Sequence, residues 1–229
     1  MMIKIIYEDN NLAVLDKPVG ISMHNSDNSV ANFIKEKLPQ IKKEHWPNAE
    51  RAGIIHRLDR DTSGLVIIAK NPETLKKLQE QFKKRKIQKK YLALVWGKTD
   101  KKGIIDVALE RDQDKSKMKV AYLQNEKSKP AITNYKLIKY YPDKNVSLLE
   151  VSPKTGRMHQ IRIHLKYIGH PIIGDQVYFN KASRRLSKEL NICRQFLHAS
   201  ELTFSNPQTH KKQTFKSELP NELKQMLDK

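Results

Sequence analysis

The sequence predicts an α+β domain, and three observations lead to that class. Several segments of strand length follow one another directly, and a few amphipathic segments with helical spacing lie between them. No internal repeat and no linker-like stretch interrupts the 229 residues. That length is ample for a buried core, so we expect a single domain over residues 1–229.

Turn and cap residues set the predicted boundaries. Ser29 is placed to cap a helix that ends before Pro39, because proline disfavours helical geometry in the residue before it. Asn71 followed by Pro72 is a typical helix start. The predicted helices cover residues 30–38, 72–82, 158–168 and 220–229. The predicted strands cover residues 3–7, 12–15, 65–69, 91–97, 104–109, 118–123, 131–141, 146–151 and 202–204.

One of these helices has a competing interpretation. Ile161, Leu165 and Ile168 follow the i, i+4, i+7 spacing, and Gly169 follows where a helix would end, yet residues 161–165 could also form a strand. Residues 180–195 are interpreted as a polar insertion.

The charge balance points to a polyanionic partner. The chain has 44 Lys and Arg residues against 25 Asp and Glu residues, a formal net charge of +19. Cations that neutralise phosphates release counterions, so such a surface favours nucleic acid. A general bias towards lysine would give the same count. A membrane surface fits less well, because no basic segment has a strong apolar stripe.

Other features narrow the class of protein. No apolar run approaches the roughly 20 residues of a membrane span, and the N-terminus does not resemble a signal peptide. The single cysteine, Cys193, excludes an internal disulfide and indicates a reducing compartment, so we expect a cytoplasmic protein. Cys193 lies in the polar insertion with no catalytic signature around it, and we expect it to be inert.

Common catalytic motifs are missing from the sequence. His159 and His164 are five residues apart, and no motif of metal-site spacing includes them. Ser63 lies in TSGL rather than in a G-x-S-x-G elbow. The chain also has no glycine-rich loop of the kind that holds a nucleotide cofactor, so we predict neither a metal nor a nucleotide cofactor.

The stretch HRLDRDTSG, residues 56–64, carries the most chemical information. Asp59 and Asp61 lie in it among Arg57, Arg60 and His56. An aspartate between guanidinium groups is held in its charged form, which suits a nucleophile, a base or a structural ion pair. The segment TGRMHQIR, residues 155–162, adds cations at a predicted helix start, where anions bind readily.

At these residues the chain resembles the RluA-type pseudouridine synthase family, and the resemblance covers nearly the whole chain in order. A fifteen-residue stretch with its acid in register is the most specific part. The matching segments are LDKPVGISMH (15–24), HRLDRDTSGLVIIAK (56–70), QKKYLALVWG (88–97), TGRMHQIRIHLKYIGHPIIGD (155–175) and FLHASELTFSNPQT (196–209).

The resemblance implies an enzyme that isomerises uridine to pseudouridine within rRNA or tRNA, with rRNA preferred, and that needs no metal or cofactor. Asp59 would start cleavage of the N-glycosidic bond, as a nucleophile or as a base. Arg57 would fill the gap left when the uridine flips out of the RNA. Tyr91 would pack on the flipped base and assist proton removal at C5, and Arg162 would pair with Asp59.

The resemblance also implies the rest of the site and the fold. We expect the pseudouridine synthase fold, a mixed, mostly antiparallel sheet flanked by helices, in a protein that acts as a monomer. Asp61 is interpreted as a residue that fixes the loop. The residues expected to support the pocket are His56, Thr62, Gly64, Gly156, Arg157, His159 and Gln160.

Two departures from the family pattern have consequences. Met158 stands where the family usually has threonine, so a hydroxyl cap worth about 1 kcal/mol is lost at a predicted helix start. The segment LDKP begins at residue 15, so we expect the catalytic domain alone, without an N-terminal RNA-binding domain. The alternative is a catalytically silent RNA-binding or ribosome-assembly protein with the same fold.

Overall fold

A computed structural model describes residues 2–24, 26–38, 41, 46–47, 51, 53–114, 116–122 and 125–228 of the chain. These residues form five α-helices and eleven β-strands. The helices are α1 (Val30–Lys37), α2 (Pro72–Lys83), α3 (Gln160–Tyr167), α4 (Lys181–Glu189) and α5 (Asn221–Asp228). The strands are β1 (Lys4–Glu8), β2 (Leu12–Lys17), β3 (Ser63–Ala69), β4 (Gln88–Trp96), β5 (Lys102–Asp106), β6 (Leu109–Arg111), β7 (Met118–Val120), β8 (Ile132–Tyr141), β9 (Val146–Pro153), β10 (Leu197–Ser205) and β11 (Lys212–Lys216).

The described residues group into two compact units, each built from two separate parts of the chain. The first unit contains residues 1–89 and 199–218, and the second contains residues 90–198 and 219–229. Strand β10 therefore begins in the second unit and ends in the first. The expectation of a single domain stays a prediction.

In the first unit, strands follow the order β1-β2-β3-β10, and β11 pairs with β10. Strand β3 is buried along its whole length, as its uninterrupted apolar run predicts. Helix α2 packs beside it through Leu75 and Leu78. The core of this unit consists of Leu12, Val14, Leu65, Ile67, Ala69, Leu75, Leu78, Ile87, Leu202 and Phe204.

In the second unit, strands follow the order β4-β9-β8-β5, and β6 and β7 form a separate hairpin. Helix α3 packs against β7, β8 and β9. One core cluster lies beneath α3 and contains Leu109, Met118, Val120, Ala131, Ile163 and Tyr178. Met158 packs against this cluster, so the residue that departs from the family pattern contributes apolar contact.

The α+β class and the mostly antiparallel pairing are confirmed. Every strand register described for the chain is antiparallel, including β2 with β3 and β8 with β9. The predicted starts of α1 and α2 are also confirmed: the Ser29 hydroxyl accepts from the Asn32 N–H, and the Asn71 side chain accepts from the Thr74 N–H. Pro39, which was expected to end α1, lies outside the described residues.

Several elements differ from the prediction. The strand expected over residues 104–109 is divided between β5 and β6, which belong to different sheets. Residues 161–165 are helical, but α3 begins at Gln160 rather than at 158 because His159 has a left-handed backbone with φ of 54°. Residues 181–189 of the polar insertion form helix α4. Strand β11 was not predicted at all.

None of the helices in the described part of the chain is long and apolar enough to cross a membrane.

Candidate active site

The loop that carries Asp59 is fixed through its backbone. The Thr62 N–H donates to the Asp59 carbonyl at 3.1 Å, which closes a tight turn around the half-buried aspartate. The Gly20 N–H donates to the Arg60 carbonyl at 3.0 Å, and Arg60 Nε donates back to the Gly20 carbonyl at 3.2 Å. These bonds tie the loop to residues 18–21, so the backbone that presents Asp59 has a defined position.

Lys17 strengthens the same connection from inside the protein. Its side chain is fully buried, and Nζ donates to the carbonyls of Pro18 (2.9 Å), Ile21 (2.9 Å) and Arg60 (3.0 Å). A buried ammonium group is costly unless its donors are satisfied, and backbone carbonyls supply these partners. Sequence reasoning missed this role. The signal available was a lysine placed directly before a proline at the end of an apolar strand.

His56 at the start of the loop is a neutral imidazole. Its Nε2 accepts a hydrogen bond from the Ile67 N–H at 3.0 Å, which requires an unprotonated nitrogen. Burial, together with the positive charge of Lys89, lowers the pKa of His56 to about 3. Burial also lowers the pKa of Lys89 to about 8. His56 therefore fastens the loop to β3 and does not act as an acid near neutral pH.

The remaining predicted residues of this unit have distinct settings. The Arg57 side chain is exposed, whereas Thr62 is buried. Gly64 has φ of +112°, and a Cβ atom there would overlap the backbone of Ala199, approaching its nitrogen to 2.6 Å. Only glycine allows β3 and β10 to approach so closely directly after the loop.

In the second unit, Arg162 is held by a carboxylate that the sequence interpretation did not select. Arg162 Nε donates to Asp175 Oδ2 at 2.7 Å, and its terminal nitrogen donates to Asp175 Oδ1 at 2.9 Å. The Arg162 side chain is 7% exposed and that of Asp175 is 0% exposed, so this bidentate pair is shielded from water. Asp175 Oδ1 also accepts from the N–H groups of Val177 and Tyr178, which fixes the carboxylate itself.

Tyr178 extends the contacts around Arg162. Its ring centroid lies 5.0 Å from the Arg162 guanidinium, and its hydroxyl accepts from the Met118 N–H at 2.9 Å. His159 Nδ1 lies 2.9 Å from the same hydroxyl. His159 therefore supports Tyr178, and Tyr178 in turn supports the face of Arg162.

Gln160 organises the segment that leads into α3. Its Oε1 accepts from the Thr155 hydroxyl at 2.7 Å and from the Arg157 N–H at 3.0 Å. Its Nε2 donates to the Ile132 carbonyl at 3.0 Å and to the Thr133 hydroxyl at 2.9 Å. Gly156 and the Arg157 side chain are exposed beside this buried amide. Gln160 therefore connects the loop at 155–157 to β8, and its role in supporting the pocket stays a prediction.

Tyr91 lies on β4 opposite Val151 of β9, and its side chain is only 8% exposed. The five predicted residues His56, Arg57, Asp59, Thr62 and Gly64 thus lie together in the first unit. The predicted residues of the second unit are Tyr91, Gly156, Arg157, His159, Gln160 and Arg162.

No group of three or more His, Cys, Asp or Glu side chains that could hold a metal ion occurs among the residues the structure describes. The two histidines considered as metal ligands are both used in hydrogen bonds. His164 Nδ1 lies 2.9 Å from the Thr133 hydroxyl, and its Nε2 lies 3.0 Å from the Val107 carbonyl. Burial lowers the pKa of His164, which accords with a neutral ring.

Comparison with known proteins identifies a matching family. A family model described as RNA pseudouridylate synthase matches residues 11–167. The chain is 36% identical over 231 residues to the ribosomal large subunit pseudouridine synthase D of Nitrosomonas europaea, covering 98% of this chain and 64% of that protein. It is 42% identical over 181 residues to the protein of the same description from Borreliella burgdorferi, covering 77% of this chain and 54% of that protein.

A ribosomal large subunit pseudouridine synthase C from Haemophilus influenzae is 36% identical over 228 residues, covering 99% of this chain and 68% of that protein. The chain thus spans between 54% and 68% of these three relatives. Among solved structures, human RNA pseudouridylate synthase domain containing 1 superposes with a TM-score of 0.75 and 25% identity, covering 95% of this chain and 83% of that one. The predicted fold is confirmed by this likeness.

Proposed function

Because the chain belongs to the RNA pseudouridylate synthase family, we propose that it isomerises specific uridines in RNA to pseudouridine. The observation that carries the proposal is the loop around Asp59, which the Lys17 side chain and the N–H groups of Gly20 and Thr62 hold through its backbone carbonyls. The loop resembles the family's catalytic motif and lies within the residues 11–167 that the family model matches. A carboxylate must be held in place to attack or deprotonate a nucleoside productively.

Each residue predicted to act in catalysis or base flipping has a step in the proposed reaction. The exposed Arg57 enters the RNA stack as the uridine leaves it, which offsets part of the cost of flipping. Asp59 then starts cleavage of the N-glycosidic bond. Tyr91 packs on the detached base and assists removal of the C5 proton after the base has rotated and rejoined the ribose through C5. The reaction is an isomerisation, so no co-reactant enters the balance.

Arg162 keeps Asp59 charged in this proposal. A guanidinium that is already fixed by Asp175 can approach a second carboxylate without losing further side-chain freedom. We propose that this pre-ordered arginine, rather than a mobile one, pairs with Asp59 and directs it at the nucleoside.

We propose ribosomal RNA as the substrate in preference to transfer RNA. Three relatives compared above are described as ribosomal large subunit pseudouridine synthases C or D. We further propose that the protein acts in the cytoplasm as a monomer, without metal or cofactor. Sedimentation equilibrium of the purified protein tests the monomeric state. A monomer should give a mass of 26.7 kDa, and a dimer should give twice that mass.

The decisive experiment is pseudouridine mapping on unmodified ribosomal and transfer RNA pools. Wild-type protein, Asp59→Asn and Asp61→Asn are incubated with each pool, both with and without EDTA. Asp61 is the matched control, because it is an exposed acid in the same loop, and asparagine there keeps the size and an accepting oxygen with which it would fix the loop. We expect new sites with the wild type and with Asp61→Asn, and none with Asp59→Asn.

The Asp59→Asn variant should bind RNA within a few-fold of the wild type, because the exchange removes one charge without changing the size of the side chain. Modification by Asp59→Asn at the wild-type rate would contradict the role of Asp59. Absence of new sites with every protein, combined with tight RNA binding, would favour the silent RNA-binding protein instead. Loss of activity in EDTA alone would contradict the metal-free reaction.

A further inference from the structure

Helix α4 has one buried face and one strongly basic face. Ser183, Leu186 and Ser187 are buried against the protein. The opposite side carries four exposed cations at i, i+3, i+4 and i+7, which places them on a single face of the helix about 10 Å long. We call this set the α4 basic face: Lys181, Arg184, Arg185 and Lys188.

The charges of the α4 basic face are largely uncompensated. The helix contains one acid, Glu189, which pairs with Arg185 at 2.8 Å. Within the part of the chain that the structure describes, Lys181, Arg184 and Lys188 form no ion pair. Like charges at this spacing repel each other, so the face does not serve the stability of the helix.

Helix α2 shows the alternative in the same protein. It is also rich in lysine, but Lys77 pairs with Glu73 at 2.6 Å, and Lys84 beyond its end pairs with Glu80 at 3.8 Å. Acids spaced four residues from the lysines make that surface an ordinary solvated helix face. Acids compensate two of the lysines at α2 but not most of the cations of α4, and this difference favours an anionic partner at α4.

The α4 basic face is also rigidly mounted. The Asn180 and Ser183 side chains form a reciprocal cap, with the Ser183 N–H donating to Asn180 Oδ1 at 2.7 Å and the Asn180 N–H donating to the Ser183 hydroxyl at 3.1 Å. The Arg184 guanidinium lies 4.7 Å from the centroid of the Phe179 ring, which restricts its rotation. A surface ordered in advance loses less entropy when it binds.

The mounting connects α4 to Arg162. The Ser187 hydroxyl accepts from the Gly174 N–H at 2.8 Å, and the next residue is Asp175, the carboxylate that holds Arg162. A ligand on the α4 basic face would therefore be held at a fixed position relative to the arginine of the candidate site.

We infer that the α4 basic face binds the phosphate backbone of the substrate RNA and sets its position relative to Arg162. The inference rests on the proposed function, because it takes the substrate to be RNA. Contacts to phosphate supply affinity and register but do not read the base sequence. The face should therefore contribute similarly to binding of ribosomal and transfer RNA.

The test replaces all four cations by glutamine, which keeps the helix propensity and leaves the buried face unchanged. The matched control removes the same number of charges near α2: Lys76→Gln, Lys77→Gln, Lys83→Gln and Lys84→Gln. Filter binding to unmodified ribosomal and transfer RNA transcripts is measured across a range of salt concentrations. Circular dichroism and urea midpoints establish that both variants are folded.

The α4 variant should bind at least about tenfold more weakly than the control at low salt. Its slope of log affinity against log salt should be shallower by about 0.7–0.9 for each phosphate that the variant no longer neutralises. In turnover assays KM should rise while kcat at saturating RNA stays the same, because positioning by backbone contacts is uniform binding. Glu189→Gln removes the only acid of the helix and should tighten RNA binding and steepen the slope.

Equal affinities and equal salt slopes for the α4 and control variants would overturn the inference, as would a Glu189→Gln variant that binds no more tightly than the wild type. A face that binds an acidic protein or an anionic vesicle instead would give this result. The binding assay does not depend on turnover. Weaker RNA binding by the α4 variant, in a protein whose wild type makes no pseudouridine, would support the RNA surface while refuting the enzyme.

Discussion

At the scale of single residues, Asp175 is a buried acid with a full set of hydrogen-bond donors. Its two oxygens receive both arms of the Arg162 guanidinium and two backbone N–H groups, and its side chain is 0% exposed. Charge-assisted bidentate hydrogen bonds of this kind are strong, and they also fix the orientation of both groups. Asp175 therefore decides where Arg162 points, even though it was absent from the residues chosen by sequence.

Asp175→Asn should destabilise the fold by about 3–5 kcal/mol, because it removes the negative charge that the buried Arg162 guanidinium binds through two nitrogens. Urea unfolding measures this loss, and turnover should fall with it if Arg162 directs Asp59. Glu73→Gln is the control, since it breaks a pair with Lys77 at the surface, and exposed pairs contribute little to stability. Equal losses in the two variants would contradict the importance of the buried pair.

His56 predicts a pH dependence of stability. Its folded-state pKa of about 3 lies below the ordinary value of 6.5, so the unfolded chain takes up a proton on this histidine before the folded protein does. The contribution of neutral His56 to the free energy of unfolding is complete above pH 6.5. It is lost as the pH falls towards 3, by up to about 1.4 kcal/mol per pH unit.

His56→Gln should flatten the fall in the free energy of unfolding between about pH 6 and pH 4, because an amide oxygen can accept from the Ile67 N–H without titrating. Subtracting the variant curve of unfolding free energy against pH from the wild-type curve cancels the contribution of the carboxylates, which both proteins share. His210→Gln, at an exposed histidine, is the control for the substitution itself. Parallel curves for wild type and His56→Gln would refute this account.

Candidate residues could be selected from the sequence where a motif contained them, and they were missed where only a contact in the fold marks them. Asp59 stands out because two acids in a basic loop match no helix or strand pattern. Lys17 and Asp175 give no such signal, because their importance comes from partners at Arg60, 43 positions away, and at Arg162, 13 positions away. The partner of a buried charge is a property of the fold, which a local pattern does not contain.

At the scale of elements, local signals marked the helix starts that use side-chain caps, as Ser29 and Asn71 show. Helix α4 was missed because its buried face holds a single apolar residue, Leu186, between two serines. Strand β11 was missed because lysines surround its one large apolar residue, Phe215, which packs against Tyr7 and Phe204. Elements that are buried through small or few residues leave little hydrophobic periodicity to detect.

The close approach of β3 and β10 in the first unit gives a test at this scale. Gly64→Ala should destabilise the protein by about 1–3 kcal/mol beyond the backbone strain, because the new methyl group meets the Ala199 backbone, which cannot move aside easily. Gly169→Ala is the matched control: Gly169 has φ of +85°, but a Cβ atom there would have nothing within 4 Å.

Thermal unfolding of both variants separates the two effects. The destabilisation of Gly169→Ala reports the unfavourable backbone conformation, and the excess in Gly64→Ala reports the contact between strands. Equal destabilisation would mean that β3 and β10 do not need to approach this closely. Gly64→Ala should also lower turnover, since the residue lies directly after the Asp59 loop.

At the scale of the whole molecule, the net charge of +19 predicts a strong dependence of RNA binding on salt. Each phosphate contact contributes about 0.7–0.9 to the slope of log affinity against log salt, depending on the strandedness of the nucleic acid. Filter binding with unmodified ribosomal RNA between about 50 and 200 mM salt should show affinity falling by orders of magnitude, as in other proteins with many phosphate contacts. A flat response would refute a role for this charge in binding.

The division of the chain into two interleaved units has a consequence for its synthesis. The first unit includes residues 199–218, which contain most of β10, the neighbour of β3 in the sheet. In the same unit, the Asn206 side chain donates a hydrogen bond to Asp9, which lies 197 positions earlier. The second unit needs its closing helix, where Glu222 pairs with Arg194. The first unit therefore lacks parts until residue 218 has been synthesised, and the second lacks parts until Glu222 has been. The nascent protein must therefore keep β3, a strand that is buried along its whole length, from aggregating until residues 199–218 have been made.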